Sequence, residues 1–309
     1  ATESNNAAIN AALEANSGKR HIITSMVEHS SVLNYCHYLE KKGYKISYLP
    51  VDRDGLLSLS DLDAAIDENQ TALVSLMWAN NETGVLFPVK EIADLCKAHG
   101  VLYHCDAVQA AGKISIDLQK IPIDYLSLTG HKFHAPKGIG ALFVRKKAPY
   151  VPFIIGGHQE RNRRGGTENI PFIVGIGIAA ELAKKHLPKY DSTVRPLRDE
   201  LENAILGSIP GAELNGHKTF RIANTSNISF HGIESEALLI LLDKEGICAS
   251  SGSACLADST DPSHVIKAMK PEAQYSREMV RFSIDSLNSM VDIEETIKKL
   301  NRTVENLRI

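Results

Sequence analysis

Along the first half of the chain, short apolar runs alternate with stretches whose apolar positions recur every three or four residues. The runs His21 to Thr24, Lys45 to Leu49, Thr71 to Trp78, Val101 to His104 and Tyr125 to Leu128 read as strands. Helical spacing predicts helices over Ser31 to Lys42, Leu59 to Asp67 and Val89 to His99. The chain also starts directly in a helical pattern. Such alternation predicts an α/β fold built on a mainly parallel sheet. Gly43 and Gly100 stand where helix C-caps are expected, and Pro88 stands at a helix start.

A further apolar run, Gly140 to Val144, leads into a loop rich in Gly and Arg over 156–167 and then a long apolar helix. The pattern changes around Leu187-Pro188. Beyond it come an amphipathic helix from Val194, a strand Thr225 to Phe230, a helix Glu234 to Lys244, a short strand Ile247 to Ser250, a strand Val280 to Ile284 and a charged closing helix. The expected division is a large α/β domain over 1–187 and a small α+β domain over 188–309.

Composition narrows the function classes. A net charge of -3 and a pI near 6.5 give no global field for nucleic acid or an acidic membrane, and no apolar run reaches the length of a membrane span. The five cysteines are odd in number and lack a Cys-x-x-Cys pair, which argues against a disulfide framework or a zinc knuckle. A reducing, cytoplasmic setting and small-molecule chemistry are expected. The first residues show neither an initiator methionine nor a targeting segment, so an upstream segment is expected to be missing.

In parallel sheets ligands gather at the carboxyl ends of strands. Three such ends carry polar groups: Asn80-Asn81 after Leu73 to Trp78, Asp106 and Gln109 after Val101 to His104, and Thr129-Gly-His-Lys132 after Tyr125 to Leu128. A lysine can form a Schiff base with an aldehyde while a carboxylate keeps a pyridine nitrogen protonated, which suits pyridoxal 5'-phosphate. Alone, Asp106 fits a helix cap and Lys132 a surface charge; together they fit the cofactor better. The pair His131-x-x-His134 lacks a third ligand and makes a weak metal site.

The segment Ser127-Leu-Thr-Gly-His-Lys-Phe-His-Ala-Pro-Lys-Gly-Ile-Gly140 resembles the cofactor-lysine motif of cysteine desulfurases of the NifS/IscS type, in the class V aminotransferase group. Five more segments match in order and spacing: Val27-Glu-His-Ser30, Met77 to Gly84, His104 to Gln109, Arg163 to Thr167 and Ser250-Ser-Gly-Ser-Ala-Cys255. The resemblance implies the fold type I (aspartate aminotransferase-like) architecture. It also assigns roles. Lys132 carries the cofactor and acts as base, Asp106 pairs with the pyridine nitrogen, and His29 stacks on the ring and moves protons. Asn81 steers ring substituents and substrate, Gln109 bonds the phenolic oxygen, and Ala1, Thr2, Thr129, His131 and the partner subunit's Thr167 hold the phosphate. Arg281 clamps the substrate carboxylate.

Cys255 lies in a run of small residues suited to a mobile loop, and the resemblance makes it the sulfur acceptor. Cys36, Cys96, Cys105 and Cys248 lie in apolar segments or at a strand end and are given no chemistry. The implied reaction takes sulfur from L-cysteine, giving L-alanine and a persulfide on Cys255. The sulfur then passes to an acceptor such as an iron-sulfur scaffold protein. A homodimer is implied; a resident metal is not, although Cys255 would be the residue to touch a partner's iron-sulfur cluster. Rival readings on the same fold are a selenocysteine lyase, a class V aminotransferase, or an impaired fragment serving as a sulfur-relay partner.

Overall fold

A computed structural model describes residues 1–252, 262–271 and 274–308. They form two compact units. The first comprises Ala1–Pro50, Leu57–Ala79 and Phe87–Leu187; the second comprises Val51–Leu56, Asn80–Leu86 and Pro188–Ile309.

The first unit holds a six-stranded sheet of β1 (His21–Ser25), β2 (Lys45–Leu49), β3 (Thr71–Met77), β4 (Leu102–Asp106), β5 (Tyr125–Thr129) and β6 (Gly140–Val144). The order is β2-β1-β3-β4-β5-β6, parallel throughout except for the antiparallel β5–β6 pair. Every residue of β1 and β3 is buried, as expected for strands covered by helices on both faces. The helices are α1 (Thr2–Ala15), α2 (Ser30–Glu40), α3 (Leu59–Ala65), α4 (Val89–Ala98) and the turn-like α5 (Gln159–Asn162). Ala8, Ile9, Ala12 and Leu13 of α1 pack with Val32 and Cys36 of α2 against Ile22, Leu73 and Tyr125 of the sheet. Strand order reverses at β1, which has β2 on one side and β3 on the other; such switch points open a crevice at the strands' carboxyl ends.

The second unit carries the antiparallel sheet β7-β8-β9, made of β7 (Ala212–Leu214), β8 (Thr225–Phe230) and β9 (Met279–Ser283). Its helices are α7 (Ser235–Lys244), α8 (His264–Met269) and α9 (Met290–Leu307), together with the later turns of α6 (Ile170–Ser208). Val194, Leu197, Leu201 and Ile205 of α6 pack with Ile228, Phe230, Leu238, Val280, Phe282 and Leu300.

Three expectations are corrected. The helix does not break near Leu187-Pro188: α6 runs on through Pro188 and Pro196. Each interior proline removes a hydrogen bond, at about 3 kcal/mol. Burial of Tyr190, Val194, Leu197, Leu201 and Ile205 at helical spacing offsets that cost. The expected strand Ile247 to Ser250 reduces to one bridge, in which the Ser250 and Arg281 amides each donate to the other's carbonyl, at 3.1 and 2.7 Å. Cys248, placed in that segment, is exposed. Among the described residues no helix is long and apolar enough to cross a membrane.

Candidate active site

Asp106 closes β4, and in the parallel register it lies opposite Ser127 of β5. Its carboxylate is almost fully buried; one oxygen accepts from the Val108 amide at 3.0 Å and the other from Asn5 Nδ2 at 2.7 Å. Lys132 follows β5 in a single 3-10 turn, Gly130–Phe133, with its side chain exposed. Phe133 pins that turn by packing among Ala111, Ala135 and Ala179. A Cβ on Gly130 would stand 2.7 Å from Ala135 Cβ, so only glycine fits there.

Helix α1 begins at Ala1 with no side-chain cap, so the first-turn amides remain as donors. A Cβ on Gly140 would stand 3.3 Å from the Ala1 nitrogen and 2.8 Å from the Leu128 carbonyl. The helix start therefore approaches the backbone at the Thr129–Gly140 pair. The Thr129 hydroxyl lies 3.2 Å from His131 Nδ1 and also donates to the Ile139 carbonyl at 3.2 Å. Burial, with Lys132 nearby, lowers the pKa of His131. A helix start with free amides, a hydroxyl and an imidazole are donor types that fit a phosphate, and a buried carboxylate one strand away fits a pyridine nitrogen. The residues present thus suit pyridoxal phosphate.

His29 caps α2, its Nδ1 accepting from the Ser31 amide at 3.1 Å. Gln109 is half-buried and accepts from Lys113 Nζ at 2.8 Å. Thr2 and Thr167 are exposed, and Arg164, near Thr167, pairs with Glu3 of α1 at 2.7 Å. Burial pushes the Cys36 and Cys96 thiols up to about 12 and the Cys105 thiol well up, so none is a ready nucleophile.

In the second unit, Arg281 of β9 donates from Nη1 to the Asn81 carbonyl at 2.8 Å, joining two of the expected substrate residues. Glu82, beside them, is fully buried and accepts from the Ser263 hydroxyl at 2.5 Å. Burial raises its pKa, against the pull of His264 and Arg281. Cys255 lies outside the described residues. No group of three or more metal-ligating side chains occurs among the described residues.

Three residues at these sites escaped sequence reasoning: Asn5, Ser31 and Glu82. Asn5 and Ser31 sit within helices, and Glu82 stands inside a motif already credited to Asn81. The available signal for Asn5 was an amide in a segment otherwise rich in alanine, Ala7-Ala8 and Ala11-Ala12.

Residues 1–296 match the class-V aminotransferase family. A protein of Trichormus variabilis named cysteine desulfurase 2 is 50% identical over 307 residues, covering 99% of this chain and 77% of that relative. A solved NifS-like protein superposes with a TM-score of 0.91 at 36% identity, covering 99% of this chain and 81% of the other. A structure described as SspA in complex with cysteine gives 0.79 at 35% identity over 93% of this chain and 80% of the other. With its pyridoxal-phosphate fold and these relatives, the chain belongs to the class-V aminotransferase family, in its NifS-type cysteine desulfurase group.

Proposed function

We propose that this chain desulfurates L-cysteine, producing L-alanine and a persulfide on Cys255. The carrying observation is the placement of Asp106 at the end of β4 beside β5, whose next turn bears Lys132. Bound pyridoxal phosphate supplies an electron sink that acidifies the substrate Cα and weakens its Cβ–S bond. Asp106, in this reading, holds the pyridine nitrogen protonated. Lys132 would hold the aldehyde carbon, and its Nζ would move the substrate Cα proton. Gln109 bonds the phenolic oxygen; Ala1, Thr2, Thr129, His131 and the partner subunit's Thr167 hold the phosphate. Arg281 receives the substrate carboxylate through a guanidinium already braced on Asn81, which guides the substrate.

The transfer needs no external oxidant. The Cys255 thiolate forms an S–S bond as the substrate Cβ–S bond breaks. The electron pair stays with the carbon fragment, which is protonated to alanine with His29 as proton source. Sulfur is oxidised by one level and Cβ is reduced.

The same reading takes 1–187 as the cofactor domain and 188–309 as the domain bearing Cys255. It assigns the enzyme to sulfurtransferases in the cytoplasm and gives the persulfide to an iron-sulfur scaffold protein. It makes the protein a homodimer: Ile170, Ile173, Val174, Ile178 and Leu182 lie at helical spacing on α6 and are all exposed, an apolar stripe that a second copy would cover.

Lys132→Ala should lower alanine formation by about 10²–10⁴-fold or more and abolish the absorbance of lysine-bound cofactor. Cys255→Ser should keep that absorbance and lose sulfide release from cysteine. Full sulfide release from Cys255→Ser would overturn the persulfide route.

A further inference from the structure

Asn5 lies in the first half of α1 with its side chain fully buried. Both of its amide hydrogens are used: Nδ2 donates to Asp106 Oδ2 at 2.7 Å and to Ser31 Oγ at 2.8 Å. Its Oδ1 is buried with no hydrogen-bond partner among the described residues. Such an orphan acceptor costs about 1–3 kcal/mol. Flipping the amide would not relieve it, because Oδ1 would then face the Asp106 carboxylate, acceptor against acceptor. A charge-assisted bond to that carboxylate holds the amide in its observed orientation.

The bonds continue in one direction. Ser31 Oγ accepts from Asn5, so its own proton is left to donate, and His29 Nδ1 stands 2.9 Å away. The Ser31 amide donates to the same Nδ1 at 3.1 Å. Two donors on Nδ1 require a lone pair there, so the neutral ring carries its proton on Nε2.

We propose that Asn5 is a positioning residue that orients Asp106 and, through Ser31, holds His29 as the Nε2–H tautomer. The inference rests on the roles given above to Asp106 and His29. It makes the group that sets the cofactor's ring charge and the group that delivers the last proton parts of one hydrogen-bonded chain. Only a side chain with two N–H donors can serve both ends: an alanine serves neither, and a serine, with one donor, serves one.

The test uses the full chain with 15N-imidazole-labelled histidine, the His29 signals being assigned with His29→Gln. In the parent, the His29 nitrogen shifts should report Nε2–H alone. Asn5→Ala and Ser31→Ala should each bring in a measurable Nδ1–H fraction. After loading with pyridoxal phosphate, Asn5→Ala should shift the cofactor absorbance and lower kcat about tenfold with KM within about twofold, the loss of roughly one hydrogen bond. Ser31→Ala keeps the Asn5–Asp106 bond and should leave the absorbance in place. Asn5→Ser should restore the absorbance or the tautomer, never both.

Unchanged His29 shifts in Asn5→Ala and Ser31→Ala overturn the proposal, as does a lower melting temperature with unchanged shifts. Full recovery in Asn5→Ser also overturns it. The nitrogen shifts are read without substrate, so they stand apart from the proposed reaction. If that reaction is wrong, the parent makes no alanine while the tautomer changes remain.

Discussion

Of the three buried glutamates among the described residues, Glu28 and Glu202, one in each unit, are handled in opposite ways. Glu202, in the second unit, receives both arms of Arg221 at 2.7 and 2.5 Å and the Ser226 hydroxyl at 2.7 Å. Arg221 is itself buried, so the charges are satisfied by each other. Glu28, in the first unit, is fully buried and accepts from the Ser25 hydroxyl at 2.8 Å and the Met77 amide at 3.0 Å. Burial outweighs these neutral donors, and with the charge of Asp106 nearby it pushes the Glu28 carboxyl up to about 8. The difference follows from what stands alongside. A guanidinium near Glu28 would compete for Asp106, the carboxylate that the proposed chemistry reserves for a cofactor. Keeping the neighbouring acid protonated leaves one negative charge in that region. In the second unit no role is assigned to Glu202, and an ion pair serves.

The comparison breaks most visibly at Arg221. Arg221→Met leaves Glu202 buried without its guanidinium and should cost about 3–5 kcal/mol in urea unfolding followed by circular dichroism. Arg221→Met combined with Glu202→Met should recover most of that loss, since a buried pair and an apolar replacement are nearly equivalent. A harmless single substitution would mean that Glu202 is as independent of charge pairing as Glu28.

Glu28 gives the next effect, and its sign is distinctive. Below pH about 4.5 the carboxyl is protonated in both folded and unfolded chains and adds no pH dependence. Between about 4.5 and 8 the unfolded chain ionises while the folded one does not, so stability falls as pH rises. Glu28→Gln keeps an acceptor for Ser25 and Met77 and cannot ionise. Relative to the parent it should match near pH 4 and gain on the order of 2–4 kcal/mol by pH 8. Melting temperatures across that range are the measurement. A loss that is equal at every pH would show that Glu28 is ionised in the fold.

This contrast also marks how far the sequence could be read. Asp106 and Lys132 could be located because they stand just past the ends of apolar runs, and the ends of parallel strands are where ligands collect, whereas His29 is given by the family resemblance alone. The Glu28 and Glu202 environments were not legible. Glu28 depends on β1 and β3 lying side by side, and Glu202 on Arg221, which lies 19 residues away. Asn5 meets Asp106 across 101 residues, so no local pattern joins them. Helix α6 continues through Pro188, where the sequence pattern changes and local chemistry favours a break, because the packing of Val194, Leu197 and Leu201 decides its course. Segments 51–56 and 80–86 belong to the second unit for similar reasons. The Leu86 amide bonds the Phe220 carbonyl at 2.9 Å, and Val85 bridges Arg221, contacts that hydrophobic periodicity does not encode.

The finest test separates the two glutamates by their serines. Ser25 donates to Glu28 and Ser226 to Glu202, at 2.8 and 2.7 Å, in equally buried settings. Each serine-to-alanine change removes one donor and should cost about 1 kcal/mol near pH 6. The pH dependence should then diverge. Ser226 is one of three donors on Glu202, the other two being both arms of Arg221, so the cost of Ser226→Ala should stay flat from pH 6 to 9. Glu28 begins to ionise near pH 8, and a hydroxyl bonds a carboxylate more strongly than a neutral acid. The cost of Ser25→Ala should therefore grow above pH 8, while the Glu28 midpoint, deprived of a donor that lowers it, moves further up. Parallel curves for the two variants would mean that both glutamates hold the same charge, and the contrast between Glu28 and Glu202 would then lie in geometry alone.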